Sequence, residues 1–89
     1  ARLLTNNVIA QINCGIAYAR AGRFNEAALY FEKALQLDPH DPQVHYNLGL
    51  LYVKMGQRDK AVIELSRTLD LDPNHREAKA LLEKITPKL

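Results

Sequence analysis

The chain has no tryptophan, a single methionine and a single cysteine among its 89 residues. Cys14 therefore has no partner for an internal disulfide, and a chain without a disulfide framework suits a reducing compartment, so the expected location is the cytoplasm. Charge of one sign is equally scarce. Twelve Lys and Arg against ten Asp and Glu leave a formal +2, with the signs interleaved along the chain. Such a balance provides no basic stripe for nucleic acid and no polycationic face for a membrane surface. Nor does any run approach the roughly 18 consecutive apolar residues of a membrane span, and Ala1-Arg2-Leu3-Leu4 is too brief for a signal peptide. With no initiator methionine in front, the expectation is a chain excised from something longer.

Several chemistries are missing as well. The four glycines, Gly15, Gly22, Gly49 and Gly56, are spread out and build no phosphate-cradling loop. His40, His45 and His75 have neither the i, i+4 helical spacing nor the cysteine pair that zinc sites favour, so they read as solvated loop histidines and no metal is expected. Cys14 lies between apolar neighbours and reads as an inert packing atom without a basic activator. No residue is a candidate for catalysis, and no cofactor is implied.

What the sequence does have is a period. Asn13, Gly15, Tyr18, Gly22, Ala27, Leu35, Leu37, Asp38 and Pro39 recur at one constant offset as Asn47, Gly49, Tyr52, Gly56, Ala61, Leu69, Leu71, Asp72 and Pro73, with no insertion. Each unit punctuates itself as two helices, which makes the fold all-α. Asn7 reads as the cap of a helix beginning at Val8 and closing at Gly22, where a left-handed residue can end it. A second helix spans about Asn25 to Leu37, with Ala28, Phe31 and Leu35 as its stripe. Asp38-Pro39 stops it, because the residue before proline avoids helical geometry. In the next unit Asp41 caps, Pro42 occupies the first helical position, Gly56 ends the helix and Asp72-Pro73 ends its partner. Asn74 followed three residues later by Glu77 reads as a capping box for a last helix. That helix has one narrow apolar stripe of Ala78, Leu81, Leu82 and Ile85.

A glycine inside a helix costs about 1 kcal/mol relative to alanine, so Gly15 and Gly49 call for a compensating close approach. Ala27 and Ala61 are the small residues expected opposite them, with Tyr18, Tyr52, Phe31 and Leu65 filling the surrounding space.

A pair of helices recurring at this period, with small residues, an aromatic and a final proline at these offsets, resembles the tetratricopeptide repeat family. The structural positions of that resemblance are Gly15, Tyr18, Ala27 and Pro39, then Gly49, Tyr52, Ala61 and Pro73. It assigns 1–7 as a remnant of a preceding segment, 8–41 and 42–75 as two full repeats, 76–86 as a capping helix and 87–89 as a tail. Gln11 and His45 depart from it where the family often carries a bulky apolar residue, and Thr68 where it prefers a small one.

The resemblance implies an α-α superhelix of helical hairpins whose first helices line a concave groove for a peptide or protein segment. Its groove positions fall on Ile9, Ile12, Asn13, Ile16 and Arg20, on Gln43, Tyr46, Asn47, Leu50 and Lys54, and on Glu77, Leu81 and Lys84. Asn13 and Asn47 would act as a ladder of carboxamides that holds a peptide backbone by donating and accepting; alternatively each caps or bridges neighbouring helices. Chaperone-binding members grip a partner's acidic C-terminal tail with lysine, asparagine and arginine. At the corresponding places this chain has Ile12, Ile16, Asn47, Glu77 and Leu81, which argues against that ligand.

The stretch Val8 to Ala19 is apolar nearly all round and is expected to be covered on more than one face. A neighbouring repeat, a second copy of the chain or an apolar ligand segment would each serve. Hence two roles stand side by side: a module that captures another polypeptide, and a structural unit that self-associates as a piece of a longer scaffold.

Overall fold

The computed structural model describes residues 2–86, with side chains from Asn7 onward; Ala1 and the tail expected at 87–89 lie outside the described residues. Within them the chain is a succession of five helices: α1 (Arg2–Arg20), α2 (Phe24–Leu37), α3 (Pro42–Lys54), α4 (Arg58–Leu71) and α5 (Arg76–Ile85). The described residues divide into two compact units, with the boundary between His40 and Asp41.

The first unit is an antiparallel hairpin of α1 and α2. Gly22 adopts φ +79°, the Gly22 amide donates to the Ala19 carbonyl and the Arg23 amide to the Tyr18 carbonyl. These two bonds give carbonyls at the end of α1 partners from the turn. An ideal Cβ on Gly15 would lie 2.6–2.9 Å from three ring atoms of Phe31, so the glycine is where the Phe31 ring seats. Ala27, Phe31 and Ala34 are buried beneath it, while Ala28 and Leu35 of the expected stripe are half-buried. Tyr18 stacks on Tyr30 with centroids 5.3 Å apart, and the Arg23 guanidinium lies over the Tyr18 ring.

The second unit repeats this construction and adds a helix. Asp41 caps α3 by accepting from the Gln43 amide at 3.0 Å, Pro42 takes the first turn, and Gly56 (φ +75°) closes the helix with the same pair of bonds. Gly49 admits Leu65: an added Cβ would sit 2.9 Å from two Leu65 atoms and 3.5 Å from the Ala61 carbonyl. Ala61, Leu65 and Thr68 of α4 and Val44, Leu48, Leu51 and Tyr52 of α3 are buried, and Ala78 anchors α5. The Asp38 and Asp72 side chains each accept the amide two residues on, at His40 and Asn74, which fixes the bends that end α2 and α4.

Four expectations from the sequence need correcting. Asn7 does not cap α1; the helix runs through it from Arg2, since neither proline nor glycine interrupts residues 2–7 as Pro39 and Pro42 interrupt the chain before α3. The cap of α5 is His75, whose Nδ1 accepts from the Ala78 amide at 3.1 Å, and not Asn74. Cys14 is exposed on α1 and is not a packing atom inside the helix pair. Of the three histidines only His40 is a solvated turn residue. His45 is buried inside α3, bonded through Nδ1 to Glu64 Oε1 at 2.8 Å, and His75 does the capping.

Candidate functional site

In the second unit α3 and α5 run side by side in the same direction, and their facing residues form one connected polar array. It starts at the cap. His75 Nδ1 accepts the Ala78 amide and is therefore the unprotonated nitrogen, leaving Nε2–H to donate to Gln43 Oε1 at 3.1 Å. The Gln43 side-chain amide then donates to Asn47 Oδ1 at 3.1 Å, one helical turn along α3. Each bond fixes the next, and the array ends at the Asn47 amide nitrogen, a donor that no other described residue engages. Tyr46 packs its ring on His75, centroids 4.9 Å apart. Burial, and behind it the Glu77 carboxylate, raise the Tyr46 phenol above the ordinary value of 10.0, so it is a neutral donor.

At the opposite ends of the same two helices the surface changes character. Val53, Gly56, Arg58, Lys84 and Ile85 line an open cleft of about 420 Å³. Neither Arg58 nor Lys84 is engaged by an acidic side chain among the described residues.

The residues picked out from the sequence thus fall into separate groups. Gln43, Tyr46 and Asn47 are brought together, and His75 joins them. Lys84 belongs to the cleft at the other end, while Leu50 and Leu81 are half-buried and Lys54 is exposed. In the first unit Ile9, Asn13 and Arg20 are exposed on α1 and Ile12 and Ile16 half-buried. His75 was missed although a signal for it existed: it stands one full repeat after Asp41, the cap of α3. Val53, Arg58 and Ile85 were missed because only packing assembles a cleft from the α3–α4 turn and the end of α5.

Among the described residues no three His, Cys, Asp or Glu side chains converge as metal ligands, and no helix is long and apolar enough to cross a membrane.

Comparison with known proteins agrees with this architecture. The profile described as tetratricopeptide repeat matches residues 18–85. Among solved structures, the first TPR of Spaghetti (RPAP3), bound to the HSP90 peptide SRMEEVD, is similar with a TM-score of 0.57 at 20% sequence identity, covering 90% of this chain and 90% of that one. At that identity the likeness is one of fold. A search of curated proteins finds no significant match. With helical hairpins repeating at a fixed period and the family profile spanning both α3–α4 and α5, the chain belongs to the tetratricopeptide repeat family, a non-catalytic protein-interaction fold.

Proposed function

We propose that the chain captures a segment of another polypeptide along the face shared by α3 and α5, with Asn47 as the principal backbone contact. The observation that carries this reading is the hydrogen-bonded array from His75 through Gln43 to Asn47, which ends in an unspent amide donor. An isolated carboxamide on a helix surface rotates freely; this one is held by its own oxygen, so its N–H groups are aimed before any ligand arrives, and less ordering entropy is lost on binding. Asn13 of the first unit, exposed on α1, is the corresponding donor there. Recognition of an acidic chaperone tail through the family's clamp of lysine, asparagine and arginine is not part of the proposal, because only Asn47 fits it and Ile12, Ile16, Glu77 and Leu81 stand at its other places.

The test is a peptide-display selection on the 89-residue chain, followed by affinity measurement on Asn47→Ala and Gln43→Ala. Loss of one oriented hydrogen bond weakens a selected peptide about five- to tenfold, with helix content unchanged. Equal affinity for wild type and Asn47→Ala discards the reading.

A second reading has its own observation. Ala10, Cys14 and Ala17 of α1 are exposed, whereas their counterparts one repeat on, Val44, Leu48 and Leu51, are buried. Together with Ile9, 49% exposed, they leave an apolar face on α1 that would suit stacking against another repeat or a second copy. Molar mass by light scattering across a dilution series decides it; a constant monomer removes self-association.

A further inference from the structure

The cleft at the C-terminal ends of α3 and α5 has an origin that can be read from the repeat. The first residue of the second helix is Phe24 in the first unit, half-buried, and Arg58 in the second unit, exposed. Arg58 stands where the first unit has Phe24, and with Val53, Gly56 and Ile85 it lines the open cleft. An ideal Cβ on Gly56 would meet nothing within 4 Å, so the turn does not obstruct the entrance.

The chemistry of the lining is consistent. Two aliphatic side chains, both half-buried, are flanked by two cations from different elements, Arg58 at the start of α4 and Lys84 near the end of α5. Among the described residues the arginine–carboxylate pairs engage Arg23 and Arg67, and no described carboxylate lies against Arg58 or Lys84. At about 420 Å³ the cleft falls within the range of roughly 300–1,000 Å³ typical of ligand sites. A nucleic acid would call for a track of cations and stacking aromatics; among the described residues this lining has two cations and no aromatic.

We infer that this cleft takes an acidic, aliphatic stretch of a polypeptide partner, one carboxylate between Arg58 and Lys84 and an adjoining branched side chain against Val53 and Ile85. The inference rests on the capture reading above and gives it a direction. The same two helices present Tyr46, His75 and Glu77 at one end and Arg58 and Lys84 at the other. A bound segment therefore meets neutral donors and one carboxylate at the first end and positive charge at the second, so its acidic residues are steered to the second. The positions involved differ from those of the family's tail clamp named above.

The experiment is backbone-amide NMR of the isotope-labelled 89-residue chain, titrated with the peptide acetyl-Leu-Glu-Glu-Leu-Glu-Leu-amide. Its glutamine isostere and inorganic phosphate serve as parallel ligands. The acidic peptide is expected to shift the amides of Val53, Gly56, Arg58, Lys84 and Ile85, and to bind about tenfold more tightly than the glutamine peptide. Arg58→Gln with Lys84→Gln is expected to erase that preference while leaving the spectrum of the α3–α4 core in place. Both cations are exposed, so the variant does not disturb packing. An undiminished preference in the double variant overturns the inference, as do equal affinities for the two peptides. Shifts from phosphate alone, without any from the acidic peptide, overturn it in favour of a simple anion site. If instead peptides bind with sensitivity to Asn47→Ala and indifference to Arg58 and Lys84, the cleft fails and the capture reading survives.

Discussion

Replacing Gly15 or Gly49 by alanine sets two effects of opposite sign against each other. In an unencumbered helix Gly→Ala stabilises by about 1 kcal/mol, because the unfolded chain loses freedom. Here the new methyl has no room. At Gly15 it would meet Phe31 ring atoms at 2.6, 2.7 and 2.9 Å, up to roughly 0.9 Å short of the ~3.5 Å at which carbon atoms begin to attract. Phe31 is 2% exposed, and its rigid ring can yield only as a whole. At Gly49 the contacts are two atoms of Leu65 at 2.9 Å, a shortfall of roughly 0.6 Å, against a side chain that can rotate but is fully buried. Overpacking of this kind costs about 1–3 kcal/mol. Subtracting the helical gain leaves Gly15→Ala destabilised by about 1–2 kcal/mol and Gly49→Ala by about 1 kcal/mol or less.

Urea unfolding followed by circular dichroism measures the difference, and for a chain of this size a loss of about 1–2 kcal/mol lowers Tm by roughly 5–15 °C. A double variant identifies the cause. Phe31→Leu shrinks the obstacle, so combining it with Gly15→Ala should be milder than the sum of the two single changes by about 1 kcal/mol. A Gly15→Ala protein more stable than wild type would refute the close-approach reasoning, and strict additivity with Phe31→Leu would refute the assignment of Phe31 as the obstacle.

The buried His45–Glu64 hydrogen bond has side chains only 8% and 12% exposed, so His45→Ala leaves the Glu64 carboxylate with Arg67 Nη1 at 3.3 Å as its one described side-chain partner. A loss of about 2–4 kcal/mol in equilibrium unfolding is expected, and a change below about 1 kcal/mol would contradict the pairing. The tyrosinate absorbance step of Tyr46 should appear above the ordinary value of 10.0, and Tyr46→Phe should delete that step. Because its folded pKa is raised, the unfolded chain releases the phenol proton first. The associated stability is therefore full below about pH 10 and declines as pH rises toward the folded value. Glu77→Gln should lower the step only partly, since burial is the larger cause; complete loss of the shift would invert that order.

The features legible in the sequence are those set within a few residues along the chain. Gly22 and Gly56 announce positive φ, Asp38-Pro39 and Asp72-Pro73 stop their helices, and Asp41-Pro42 starts α3, because cap and turn chemistry acts between close neighbours. The repeat length carried this further: small residues at Gly49 and Ala61 pointed to a crossing that brings them into contact. Tertiary structure alone decided which identical positions are covered. Cys14 and Leu48 share one place in the repeat and one helical pattern, yet the first is exposed and the second buried, since coverage depends on what packs there and not on periodicity. It also decided the partners of polar groups far apart in sequence: Glu64 for His45, 19 residues away, and Gln43 for His75, 32 residues away. A side chain's type states which bonds it can make, but only the packed helices bring the matching donor or acceptor within about 3 Å.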